Sequence, residues 1–168
     1  MAKTQIRSED KAEYTAYTAS KSADDDAIIA QALEILQSRM RKYEYSFTEP
    51  KAVKQYLTLR FAETEHEVFT VLFLTNKHKL IEAREMFRGT IDGASVHVRE
   101  VVKEALELNA AAVILAHNHP SGVAEPSSAD VKITERLQYA LSVVDVRVLD
   151  HIIVGGTETA SLAELGRM

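Results

Sequence analysis

Apolar residues recur at two different periods along the chain, and the switches between those periods predict the order of its elements. Ile28, Ile29, Ala32, Leu33, Leu36 and Met40 fall at helical spacing behind Asp24-Asp25-Asp26, whose carboxylates suit the positive end of a helix. Arg39, Arg41 and Lys42 stand at the opposite end, on the matching side of the dipole. Thr48-Glu49-Pro50 starts a second helix, with Val53, Leu57 and Phe61 on one face and an end near Ala62. Val68 to Leu74 is short, β-branched, aromatic and almost continuously apolar, the pattern of a central strand buried on both faces. Asn76-Lys77-His78 is then a turn, and Leu80 to Phe87 returns as the hairpin partner, closed by Gly89.

Val98 to Leu108 reads as a helix with Asn109 as its C-terminal cap, and Ala111 to Ala116 as another buried strand. A loop with Pro120, Gly122 and Pro126 leads into a helix from about Ser127 to Leu141. A strand over Val144 to Leu149, extendable to Val154, ends in a Gly155-Gly156 turn. Helices and strands in this order predict an α/β fold, a three-layer sandwich around a mixed β-sheet. Residues 1–23 are rich in Lys, Ser, Thr, Ala and Glu and read as a flexible tail; 24–45 then form an N-terminal helix and 46–168 the main domain. The apolar stripe of the N-terminal helix fits either its own domain or a second copy of the chain, which would make a homodimer.

Composition narrows the chemistry. The 168 residues suffice for one buried core, and 46% hydrophobic with 27% charged residues is ordinary for a globular protein. There is no apolar run of about 18 residues and no apolar signal core near Met1, so a cytoplasmic protein without a membrane association is expected. Cysteine is absent, which removes disulfides, thiol nucleophiles and thiolate-held metals; any metal falls to His, Asp or Glu. The net charge of −5 lacks the basic footprint that drives binding to DNA phosphates, leaving only a local patch for that role.

One stretch concentrates the chemistry: Ala116-His117-Asn118-His119-Pro120-Ser121-Gly122, followed by Pro126-Ser127-Ser128-Ala129-Asp130. At a strand end, residues i and i+2 project from the same face about 7 Å apart, so the imidazoles of His117 and His119 can converge on one ion while Asn118 points the other way. Pro120 cannot continue a central ladder, which puts the pair at the rim of the sheet. Asp130 can supply a third ligand from the first turn of the next helix, leaving a fourth tetrahedral position for water, as in catalytic zinc sites. Ser127-x-x-Asp130 is also a capping box, and the two roles are compatible, since a carboxylate has two oxygens.

His117-x-His119, seven residues, Ser127, two residues and Asp130 match the JAMM motif of the MPN-type metallopeptidases without a gap. The wording resembles most the RadC family of bacteria, through His117-Asn118-His119-Pro120-Ser121-Gly122, Phe87-Arg88-Gly89-Thr90, Val96-His97-Val98-Arg99-Glu100 and Leu149-Asp150-His151-Ile152-Ile153-Val154-Gly155. The likeness covers about residues 46–168. It implies a JAB/MPN domain of cytidine-deaminase-like architecture that binds one Zn²⁺ through His117, His119 and Asp130. It further implies a glutamate before or within the first core strand that shuttles a proton, here Glu67, with Glu65 and Glu63 as alternative registers. Ser127 would stabilise the oxyanion or orient the site.

The front of the chain departs from longer family members, which carry a helix-hairpin-helix-like region, and this weakens a DNA-binding role. Asp150-His151 reads either as structural or as support for a ligand, and His97 and Arg99 as loop-fixing or substrate-contacting residues. His66 and His78 read as surface residues. The expected function is a zinc-dependent metallopeptidase or isopeptidase-like hydrolase, in which zinc-bound water attacks an amide carbonyl of a peptide or protein substrate. The alternative is a DNA-repair or mobile-element accessory protein acting by protein or DNA binding, with a non-catalytic or nuclease role.

Overall fold

In the computed structural model, which describes residues 24–38, 50–89 and 96–168, the run Val68–Leu74 is strand β1, and all seven of its residues are buried. The chain divides into two units, residues 1–37 and 38–168. Residues 24–38 are helical and are labelled α1. The predicted tail 1–23, the basic helix end Arg39 to Lys42 and the Thr48-Glu49 helix start lie outside the described residues.

The second unit runs α2 (Pro50–Phe61), β1, β2 (Leu80–Arg88), α3 (Val98–Glu107), β3 (Ala112–Asn118), α4 (Ser128–Ser142), β4 (Arg147–Gly155) and β5 (Glu158–Ser161). The five strands form one mixed sheet in the order β2-β1-β3-β4-β5. Among the described residues only the β3–β4 pair is parallel, and α4 makes the crossover that such a pair requires. The predicted three-layer α/β sandwich is the observed architecture.

Side-chain alternation explains the layers. Phe69, Val71 and Phe73 of β1 and Val113 and Leu115 of β3 share one core cluster with Val101 and Ala105 of α3 and Leu137 and Leu141 of α4. The intervening residues, Leu72, Leu74, Ile114, Ala116, Ile152 and Val154, are equally buried on the other face. That is the side of α2, which buries Val53, Tyr56, Leu57 and Phe61 and lies against β4 and β5. Two strands shielded on both faces account for the near-continuous apolar runs in the sequence.

The element ends follow local chemistry. Asn109 adopts a left-handed conformation (φ 49°) where α3 stops, as its predicted capping role requires. Asp145 is also left-handed (φ 58°), and the Val146 amide bonds back to Leu141 O. This turn ends α4 and delays the next strand to Arg147, three residues beyond the predicted start at Val144. The turn predicted at Gly155-Gly156 lies one residue later, at Gly156-Thr157, because Gly155 still pairs with Glu158 as the last residue of β4; it leads into β5, a four-residue strand antiparallel to β4.

Gly155 brings the loop after β3 against the sheet. A Cβ at this position would lie 2.5 Å from Val123 C and Ala124 N, far inside van der Waals contact. Gly155→Ala is therefore expected to displace the loop and cost about 1–3 kcal/mol by overpacking. A thermal melt should show a lower midpoint; an unchanged midpoint would mean that this contact is not tight.

Candidate metal centre

Strand β3 ends one residue before His119, and its last three positions divide their side chains between the two faces of the sheet. His117 is 1% exposed and lies on the α4 side, stacked on Phe69 at a centroid distance of 6.2 Å. Its Nε2 is 3.0 Å from Nε2 of His119. His119 extends the ladder by donating its backbone N–H to Val154 O, after which the chain turns so that the Gly122 amide bonds to His119 O. The His119 ring donates from Nδ1 to Val123 O at 2.7 Å, so in the neutral ring the lone pair is on Nε2.

Asp130 arrives from the first turn of α4. Its Oδ2 accepts from the Ser127 amide at 2.7 Å and from the Ser127 hydroxyl at 2.6 Å, and the Asp130 amide donates to Ser127 Oγ at 3.2 Å. This is the complete capping box anticipated from Ser127-x-x-Asp130. The other oxygen, Oδ1, faces His117 Nε2 at 3.2 Å, while Oδ2 is 3.6 Å from His119 Nε2. The cap and the cluster thus use the same carboxylate without conflict.

Ligand atoms of His117, His119 and Asp130 all lie within 4.8 Å of one another. A tetrahedral ion with bonds of about 2.0–2.1 Å needs donor atoms about 3.3 Å apart; two of the separations, 3.0 and 3.2 Å, are close to that, and the third, 3.6 Å from His119 Nε2, runs to the other carboxylate oxygen. The electrostatics also favour a cation between them. Burial acts to raise the Asp130 carboxyl, but the imidazoles of His117 and His119 and the Ser127 hydroxyl outweigh it and hold the group well below the usual carboxylate range. The Asp130 carboxylate raises the His119 imidazole despite burial, helped by the Val123 carbonyl and the charge of Glu67. These three residues could hold a metal ion.

The remaining candidates separate clearly. Glu63 and Glu65 are exposed, whereas Glu67 is half-buried immediately before β1, where its charge acts on His119. Asn118, pointing away from the cluster as expected, grips the chain on both sides of Glu67: its Oδ1 accepts from the Val68 amide at 2.8 Å, and its Nδ2 donates to His66 O at 3.0 Å. Gly89 N–H also donates to Glu67 O at 2.8 Å. The sequence reading found no task for Asn118; its place between the two histidines, on the opposite face of the strand, was the available signal.

His151 and Asp150 diverge. His151 is fully buried, its Nε2 lies 2.9 Å from His117 Nδ1, and burial together with the neighbouring His117 pushes its imidazole down to about 3. Its Nδ1 is 2.6 Å from Thr134 Oγ1, a residue the sequence reading did not single out. Asp150 is structural, accepting from the His151 and Ala163 amides and from the Ser161 hydroxyl. His97 stands edge-on to Phe87 at 5.8 Å, and the Arg99 side chain is exposed, so neither joins the cluster. His66 is exposed, and His78 is a half-buried turn residue facing Arg147.

The family sequence model described as a RadC-like JAB domain matches residues 47–167. The chain is 53% identical over 150 residues to a UPF0758 protein of Vibrio cholerae, covering 89% of this chain and 94% of that protein. It is 52% identical over 148 residues to one of Marinobacter nauticus, and 63% identical over 119 residues to one of Nitrosococcus oceani. Those two alignments cover 88% and 71% of this chain but only 66% and 53% of the relatives' own lengths. No helix among the described residues is long and apolar enough to cross a membrane.

The double use of Asp130 makes Ser127 a direct probe of the cap. Ser127→Ala is expected to lower stability by about 0.5–2 kcal/mol, the usual cost of losing such an N-cap. Chemical denaturation of wild type and variant would reveal the difference, and equal stability would show that the box contributes nothing.

Proposed function

The chain belongs to the RadC-like JAB domain family, and we propose that it is a zinc-dependent hydrolase of amide or isopeptide bonds in a peptide or protein substrate. The observation that carries this reading is the convergence of His117 Nε2, His119 Nε2 and an Asp130 oxygen at the rim of the sheet. A donor set of two imidazoles and one carboxylate suits Zn²⁺, and three protein ligands leave a position open to solvent, as catalytic rather than structural zinc sites do. When bound, the ion supplies Lewis acidity toward a carbonyl and brings the pKa of a water down to roughly 7.

The chain's own residues supply the rest. The Glu67 carboxylate takes the proton of the attacking water and returns it to the leaving amine. Its half-buried position, its action on His119 and the Asn118 clamp on both flanking residues favour Glu67 over the exposed Glu63 and Glu65. The Ser127 hydroxyl is directed to Asp130 Oδ2, which favours its orienting the site over stabilising the oxyanion directly.

Metal analysis of the full chain, purified without chelators, is expected to find about one zinc per chain, with little in His117→Ala or Asp130→Ala. Glu67→Ala should retain the metal while its turnover of fused or isopeptide-linked test substrates falls by about 10²–10⁴-fold. A wild-type chain that takes up no zinc would overturn the reading. So would salt-sensitive DNA binding, or phosphodiester cleavage, unaccompanied by amide hydrolysis.

A further inference from the structure

Behind His117 lies a file of polar groups whose donor and acceptor roles can be assigned one after another. Thr134 Oγ1 sits 2.6 Å from the backbone oxygen of Asp130, one helical turn earlier in α4. That carbonyl has no proton to give, so the single hydroxyl proton of Thr134 is directed to it. The same Oγ1 lies 2.6 Å from Nδ1 of His151. With its proton already committed, Thr134 accepts there, and His151 Nδ1 must be the N–H. The His151 ring is fully buried and stands edge-on to Phe69. Kept neutral by that burial and protonated at Nδ1, it has its lone pair at Nε2, which faces His117 Nδ1 at 2.9 Å. His117 Nδ1 therefore carries a proton, which in the neutral ring leaves the lone pair on Nε2, the nitrogen facing His119 and Asp130.

We propose that Thr134 and His151 are positioning residues that lock His117 in the Nδ1–H tautomer and fix its ring plane, keeping Nε2 available to a metal ion. The inference rests on the reading of His117 as a ligand. The file starts at the backbone of Asp130, the third residue of the cluster, so the start of α4 sets both the carboxylate and, through two buried side chains, the imidazole opposite it. A core has no need of this arrangement for packing, since apolar groups of similar volume would fill the same space without satisfied polar partners. Imidazole ligands commonly have their second nitrogen held in this way, and loss of the partner typically weakens metal affinity about 10–100-fold. Here the partner is a second, non-ligating histidine.

Two measurements on the full chain test the proposal. Ring ¹⁵N chemical shifts of the chelator-stripped wild type, recorded at about pH 9, well above the ordinary histidine pKa, should show His117 and His151 protonated at Nδ1. A His117 ring protonated at Nε2 would overturn the proposal without recourse to any variant. Zinc affinity, read by competition with a chromophoric chelator, should fall about 10–100-fold in Thr134→Val and in His151→Phe. It should stay near wild type in Thr134→Ser, which keeps the hydroxyl. Wild-type affinity in a folded Thr134→Val chain would also overturn it. Should the wild type bind no zinc, the metal reading itself fails, and the ring-nitrogen shifts alone decide whether the lock exists.

Discussion

The Asp130 carboxylate is held through one oxygen by the amide and hydroxyl of Ser127 and faces His117 with the other, and the rest of the site depends on this division. A helix start leaves unsatisfied amides and a partial positive charge, and a capping box answers both with side-chain oxygens. Here the answer comes from a carboxylate that is 8% exposed, so a requirement of helix formation carries a negative charge to the rim of the sheet. The two imidazoles meet it because β3 runs parallel to β4, and α4, the crossover between them, begins above the end of β3 where His117 and His119 emerge.

The polar groups around this point are costly to bury and are accordingly paired. His117, Asn118, Asp130, Thr134 and His151 are all buried, and each has a hydrogen-bonding neighbour. Asn118 is joined to the chain around Glu67, and His117 to Thr134 through His151. The strand thus sends one polar side chain to each side of the sheet and anchors a different element with each. Alternation of side chains across a strand, the same rule that separates the two apolar layers, splits the His117-Asn118-His119 triplet into a pair that meets Asp130 and a clamp behind it.

How much of this was legible in the sequence follows from distance along the chain. His117, His119, Ser127 and Asp130 fall within 14 residues and carry spacing that only a strand end, a short loop and a helix start satisfy, so the cluster could be read directly. Thr134 and His151 are 17 residues apart, and His117 and His151 are 34 apart. Nothing local marks those pairs, because the sheet register and the seating of α4 bring them together. The β-branched and aromatic run of β1 announced itself. Strand β5, with Glu158-Thr159-Ala160-Ser161, has no such bias and is a strand because β4 offers it an edge. The late start of β4 has a comparable cause: Val144 looks like strand, but the left-handed turn at Asp145 uses those residues to leave α4.

The central claim is that His117, His119 and Asp130 are ligands of a single zinc ion in an otherwise solvent-accessible coordination shell. X-ray absorption at the zinc edge of the loaded full chain tests it most directly, because it reports the atoms bound to the metal. The account predicts four light-atom neighbours at about 2.0–2.1 Å, with the outer-shell scattering of two imidazole rings. A shell of six oxygens without imidazole scattering, or imidazole scattering that persists unchanged in His117→Ala, would contradict it.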